Sequence, residues 1–159
     1  IIAAKTAALF AAASESGAVI AQADELREMA LKSYGQSLGI AFQLVDDALD
    51  YSGREAMMGK AVGDDFREGK LTLPVIQALA KANAEEADFW RRTMVHRNQT
   101  EQDLTHAIHL IDKHHTLAET VARARSFTDQ ACAALNVFPD SPMRRALQEL
   151  AEFCVSRAY

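Results

Sequence analysis

Three aspartates interrupt a segment that otherwise reads as buried helix. The run is Phe42-Gln43-Leu44-Val45-Asp46-Asp47-Ala48-Leu49-Asp50-Tyr51. At 100° per residue, with Gln43 at zero, Asp46 falls at about 300°, Asp47 at about 40° and Asp50 at about 340°. These four polar groups share one stripe, while Leu38, Ala41, Phe42, Leu44, Val45, Ala48 and Leu49 fill the opposite arc. Aspartate is a poor helix former, and carboxylates four residues apart repel. No Lys or Arg within the run offsets them. A divalent cation is the economical counter-charge. Hard oxygen donors spaced as DDxxD suit Mg²⁺, which keeps several waters and is usually shared with phosphates. The alternative is an acidic face turned to solvent. A solvated face needs neither Gln43 in the same stripe nor Gly35 and Gly39, which lie at about 280° and 320° on the aspartate side. Glycine is costly inside a helix, so this pair predicts that something approaches there closely.

The rest of the chain reads as helix too. Its 159 residues fit one domain and suffice for a sizeable core. Pro occurs only three times, Ala is abundant, and alternating runs of β-branched residues are missing. An Ala-rich helix is predicted over Ile1 to Ala13, with a break at Gly17 and a further turn or two from Ala18. The aspartate helix is predicted from about Asp24, as its cap, to about Tyr51. Residues Ser52 to Leu71 hold four of the seven glycines and form the long loop of the chain. Thr72 and Pro74 read as a helix start. Helices are then predicted over Leu73 to Ala82, Ala84 to Val95, Gln102 to Lys113, Thr116 to Ala134 and, after Pro139 and Pro142, Met143 to Arg157. The expected fold is all-α, an antiparallel helical bundle with short connections.

Charge and cysteine content narrow the class. A net charge of −5 argues against a nucleic-acid binder, which would show a basic face. An acidic protein still binds an anion where metal ions bridge the two. Cys132 and Cys154 are too few for a disulfide framework and fit a reduced, cytoplasmic protein. No apolar run approaches the ~18 residues of a membrane span. The chain opens without Met on Ile1-Ile2-Ala3-Ala4, which reads as helix interior and leads us to expect a piece of a longer polypeptide.

Several cations stand in unusual surroundings. Lys5, followed by Thr6, is the one charge in Ile1 to Ala13. It is either a lysine snorkelling from a buried helix or an ammonium held to meet a phosphate. Lys60 and Lys70 each follow a glycine, where backbone N–H groups can approach an anion, although a solvated loop explains them as well. Their spacing is not that of a P-loop. His96, His106, His109, His114 and His115 lack the Cys or acidic partners of a zinc set and read as surface residues.

Taken in order, Lys5-Thr6, Phe42-Gln43-x-x-Asp46-Asp47-x-x-Asp50-Tyr51, Gly59-Lys60-x-x-Gly63-Asp64-Asp65 and Glu68-Gly69-Lys70-x-Thr72-Leu73-Pro74 resemble the trans-prenyl diphosphate synthases. The similarity is greatest to bacterial long-chain octaprenyl and decaprenyl synthases. It extends to Ala146-Leu147-x-x-Leu150-Ala151-x-Phe153 through Arg157. The resemblance implies an all-helical prenyltransferase that joins isopentenyl diphosphate to an allylic diphosphate, releasing diphosphate. The product would be a polyprenyl diphosphate, of the long-chain kind used for quinone side chains. It further implies that Asp46, Asp47 and Asp50 hold Mg²⁺, that Lys5, Lys60 and Lys70 contact diphosphate, and that Thr6 and Gln43 present oxygens to the allylic cation. A homodimer is implied as well, with helices such as Ile1 to Ala13 at its interface.

One departure qualifies the resemblance. Family members carry two aspartate-rich motifs, and this chain holds only the second, so residues 1–159 are expected to be the C-terminal half of a synthase domain, inactive alone. Two other functions remain open. A class I terpene cyclase also combines aspartates, Mg²⁺ and an allylic diphosphate, but the Gly-Lys loop and Glu-Gly-Lys-x-Thr-x-Pro stretch disfavour it. A non-catalytic subunit partnering an active synthase often degrades its aspartate motif, whereas this one is intact.

Overall fold

The computed structural model describes residues 3–52 and 62–158, and among these every regular element is helical. A π-helical turn, Ala3–Ala7, leads into α1 (Ala8–Ile20). The chain continues through α2 (Glu25–Leu49), the single-turn α3 (Asp64–Arg67), α4 (Leu73–Lys81) and α5 (Ala84–Trp90). After a second π-turn, Arg91–Val95, come α6 (Asp103–Lys113), α7 (Thr116–Ala134), a 3-10 turn at Leu135–Val137 and α8 (Pro142–Ser156). The chain divides into two compact units, residues 1–45 with 121–159 and residues 46–120.

Local chemistry accounts for most boundaries. Asp24 Oδ1 accepts the Arg27 N–H at 2.9 Å, so the predicted cap starts α2. Pro74 stands in the first turn of α4, where its missing N–H costs nothing. Asn83 and Glu86 close a reciprocal capping box on α5, and Ser141 caps α8 through the Arg144 N–H.

Two expectations about the first helix are corrected. Its opening residues, Lys5 and Thr6 among them, lie in a π-turn rather than α-helix. Gly17 does not break it, because α1 runs on to Ile20. The stop comes later, where Ala23 N–H bonds Ala18 C=O and Gln22 N–H bonds Val19 C=O, with Gln22 at a φ of 53°. That pattern usually employs glycine after the helix, so a glutamine in its place gave no signal.

In the first unit, Tyr34, Leu38, Ala131, Leu135, Ala151 and Cys154 form the core, with Phe10, Phe42 and Leu147 packed against it. Both cysteines are free thiols. Tyr34 secures the packing by donating its hydroxyl to Leu147 C=O at 2.8 Å. The predicted close approach at Gly35 and Gly39 is made by the chain itself. A Cβ on Gly35 would lie 2.3 Å from the Phe10 carbonyl oxygen, and one on Gly39 would lie 2.7 Å from Ala7 Cα. The glycines therefore let the start of α1 sit against α2.

In the second unit, Tyr51, Phe66, Val75, Trp90, Leu110 and Ile111 belong to one buried cluster, and α4 packs on α5 and α6. No helix among the described residues is long and apolar enough to cross a membrane.

Candidate active site

In the first unit the Thr6 hydroxyl donates to Gln43 Oε1 at 2.8 Å. The π-turn at Ala3–Ala7 carries the threonine and α2 carries the glutamine. Two residues singled out separately in the sequence are thus brought together. Lys5, their neighbour, is exposed. Because the threonine proton is committed to Gln43, what the Thr6 oxygen can offer elsewhere is lone-pair density.

The aspartates belong to the second unit. Asp47 is 3% exposed, Asp50 is 8% exposed, and Asp46 is half-buried. Asp50 accepts two main-chain hydrogen bonds, from Asp64 N–H on Oδ1 at 3.1 Å and from Asp65 N–H on Oδ2 at 3.0 Å. Its own C=O accepts Gly63 N–H at 2.8 Å. The Asp50 carboxylate thus caps α3, supplying acceptors for donors that a helix start leaves unpaired. Gly63 makes the turn possible. Its φ of 83° is left-handed, and a Cβ there would fall 2.3 Å from Leu104 Cδ1.

Burial pushes the Asp50 carboxyl up to about 6, and the neighbouring charges of Asp65 and Asp64 push the same way, while the two N–H donors oppose it. Next to it, Tyr51 is raised above its ordinary range, again chiefly by burial. Its hydroxyl and that of Thr72 are both sealed from water. They are near enough to influence each other, yet neither closes a hydrogen bond of normal geometry.

Lys70 pairs with Glu68 at 2.7 Å and with Asp65 Oδ1 at 2.9 Å, which hold its ammonium above the ordinary lysine range. Lys60 lies outside the described residues. Four of the histidines are exposed as expected, but the His114 side chain is largely buried and its Nε2 lies 2.9 Å from Glu86 Oε2. That contact joins α6 to the α5 cap and gives His114 a structural role that the sequence did not suggest. The motif reading also missed the main-chain part of Gly63-Asp64-Asp65. The glycine ahead of paired acids was visible, but a backbone donor leaves no trace in residue type.

Among the described residues, no three His, Cys, Asp or Glu side chains converge tightly enough to cage a metal by themselves. The donor chemistry still fits one kind of ion. Buried, oxygen-only carboxylates suit a hard divalent cation that keeps part of its water and takes further oxygens from a phosphate.

Comparison with known proteins points the same way. Residues 1–111 match the polyprenyl synthetase family model. The chain is 38% identical to the octaprenyl diphosphate synthase of Haemophilus influenzae over 159 residues, covering 100% of this chain and 48% of that protein. It is 40% identical to that of Escherichia coli K12, covering 99% and 48%. Among solved structures, a decaprenyl diphosphate synthase from Rhodobacter capsulatus superposes with a TM-score of 0.93 at 50% identity, covering 99% of this chain and 49% of that one. A polyprenyl synthase from Caulobacter crescentus CB15, complexed with calcium and isoprenyl diphosphate, gives 0.92 at 52% identity, covering 99% and 48%. The chain therefore spans about half the length of the relatives it matches. Its helical fold and its sequence agree with one set of enzymes, and the chain belongs to the polyprenyl synthetase family.

Proposed function

We propose that the chain forms the C-terminal half of a polyprenyl diphosphate synthase, which condenses isopentenyl diphosphate with an allylic diphosphate and releases diphosphate. The proposed product is a long-chain polyprenyl diphosphate of the kind used for quinone side chains. The observation that carries this reading is the Thr6–Gln43 hydrogen bond, since it leaves the threonine oxygen as a pure acceptor. An oxygen that turns its lone pairs and no proton toward an allylic cation stabilises the positive charge, whereas loose water would capture the cation as an alcohol.

The chain's residues divide the work. Asp46, Asp47 and Asp50 would hold Mg²⁺. When bound, the ion supplies positive charge to the departing diphosphate. Lys5, Lys60 and Lys70 meet the same diphosphate and absorb the charge that develops as the C–O bond breaks. Thr6 and Gln43 face the cation left behind. The proposed assembly is a homodimer, and α1 is a suitable interface element, since Leu9 and Ile20 are 74% and 82% exposed on a helix whose only charge is Glu15.

The test is product analysis of the full-length gene product with geranyl or farnesyl diphosphate and labelled isopentenyl diphosphate. Elongated, Mg-dependent products support the reading. Ring hydrocarbons would indicate a cyclase, and no product a passive partner; either result overturns it.

A further inference from the structure

We propose that Asp65 is a positioning residue, whose main chain steadies Asp50 while its side chain holds Lys70. This rests on the roles assigned above to Asp50 and Lys70. Asp65 has three links. Its N–H donates to Asp50 Oδ2 at 3.0 Å, its Oδ1 receives Lys70 Nζ at 2.9 Å, and its C=O receives Lys70 N–H at 2.8 Å. The acid proposed to meet the metal and the ammonium proposed to meet the phosphate thus share one residue as their common support.

An ordinary surface ion pair would not look like this. The Asp65 side chain is only 16% exposed, against 47% for Lys70, so a flexible cation is drawn onto a nearly buried anion. The turn around it has little freedom. Phe66, the next residue, is locked in the core, and its C=O accepts Gln99 Nε2 at 2.8 Å. Gly63, two residues before, has the left-handed φ and the Leu104 contact already described. Glu68 also pairs with Lys70, but it is 60% exposed and makes a solvated, screened contact. Fixing a long side chain before the ligand arrives lowers the ordering cost that binding would otherwise meet.

The experiment uses calorimetry of inorganic diphosphate in the presence of Mg²⁺ on the full-length wild-type protein and its Asp65→Asn, Asp65→Glu, Lys70→Gln and Asp65→Asn/Lys70→Gln variants. Asparagine keeps the N–H to Asp50 and removes only the charge. We expect Asp65→Asn to weaken diphosphate binding about threefold to fivefold. Asp65→Glu should restore at least part of that loss, and the Asn change should add nothing once Lys70 is gone. Amide-exchange protection at positions 64 and 65 should persist in each variant, showing the Asp50 cap intact. If Asp65→Asn proves too unstable to measure, Asp65→Ser takes its place with the same expectations. Unchanged affinity in Asp65→Asn, or a full-sized loss in the Lys70→Gln background, overturns the positioning role alone. Absence of Mg-dependent diphosphate binding in the wild-type protein overturns the functional reading and this role with it.

Discussion

Thr6 Oγ1 lies 2.8 Å from Gln43 Oε1, a contact between residues 37 positions apart that ties the π-turn before α1 to the C-terminal part of α2. Replacing Thr6 with Val keeps the shape and deletes the bond. Thr6→Val is expected to destabilise the protein by about 1 kcal/mol, the net worth of one hydrogen bond. In the full-length enzyme it should lower kcat with little change in KM, because the oxygen is assigned to the cation rather than to the bound substrate. Urea unfolding and steady-state kinetics check the two parts separately.

The glycines of α1 and α2 should respond in opposite directions. Gly17 has nothing within 4 Å of a built Cβ, so Gly17→Ala gains helix propensity, up to ~1 kcal/mol, at no steric cost. Gly35→Ala gains the same propensity but drives a methyl to 2.3 Å from the Phe10 carbonyl oxygen. Overpacking costs about 1–3 kcal/mol and outweighs the gain. Thermal melts should therefore rise for Gly17→Ala and fall for Gly35→Ala. Equal shifts would refute the close packing of α1 on α2.

Asp50 carries a fold role alongside its proposed metal role, and Asp50→Asn separates them. An asparagine has one acceptor oxygen for two N–H donors, and its NH₂ opposes the second. The lost acceptor costs about 1–2 kcal/mol. The variant also sheds a buried charge whose carboxyl is pushed up to about 6, so wild-type protein should gain stability relative to Asp50→Asn as pH falls from about 6 to 3.8, with no metal present. In the full-length enzyme, Asp46→Ala should leave the melting temperature nearly unchanged while Mg-dependent catalysis falls by orders of magnitude. Near-normal turnover in Asp46→Ala would count against the metal assignment.

Glu86 sets an acid limit on the second unit. Hydrogen bonds from Lys113 first, and from His114 next, lower its carboxyl from an ordinary 4.5 to about 2. A carboxylate depressed in the folded state contributes stability that is complete above the unfolded value and disappears as pH falls through the folded one. Wild-type protein should therefore lose stability progressively from about pH 4.5 down to about pH 2. In Glu86→Gln the neutral-pH stability should be lower and the decline over that window shallower. Urea midpoints for both proteins across the window provide the check, and parallel profiles would exclude Glu86 as a source of the decline.

The helices were legible because their causes are local. Asp24 as a cap, Pro74 in a first turn and apolar residues recurring every three or four positions act over one or two turns, so α2, α4, α6, α7 and α8 stand within two residues of their expected bounds. The aspartate stripe was read from helical pitch alone, and α2 carries Asp46 and Asp47 while Asp50 follows in the turn after Leu49. Only tertiary structure decided that Gly35 and Gly39 admit another part of this chain and that Thr6 bonds Gln43. Only it revealed that Asp50 caps α3 through the amides of Asp64 and Asp65. Those contacts join residues far apart in sequence, or use main-chain N–H groups that nearly every residue type possesses, and neither distance in space nor a backbone donor is written in the order of the side chains.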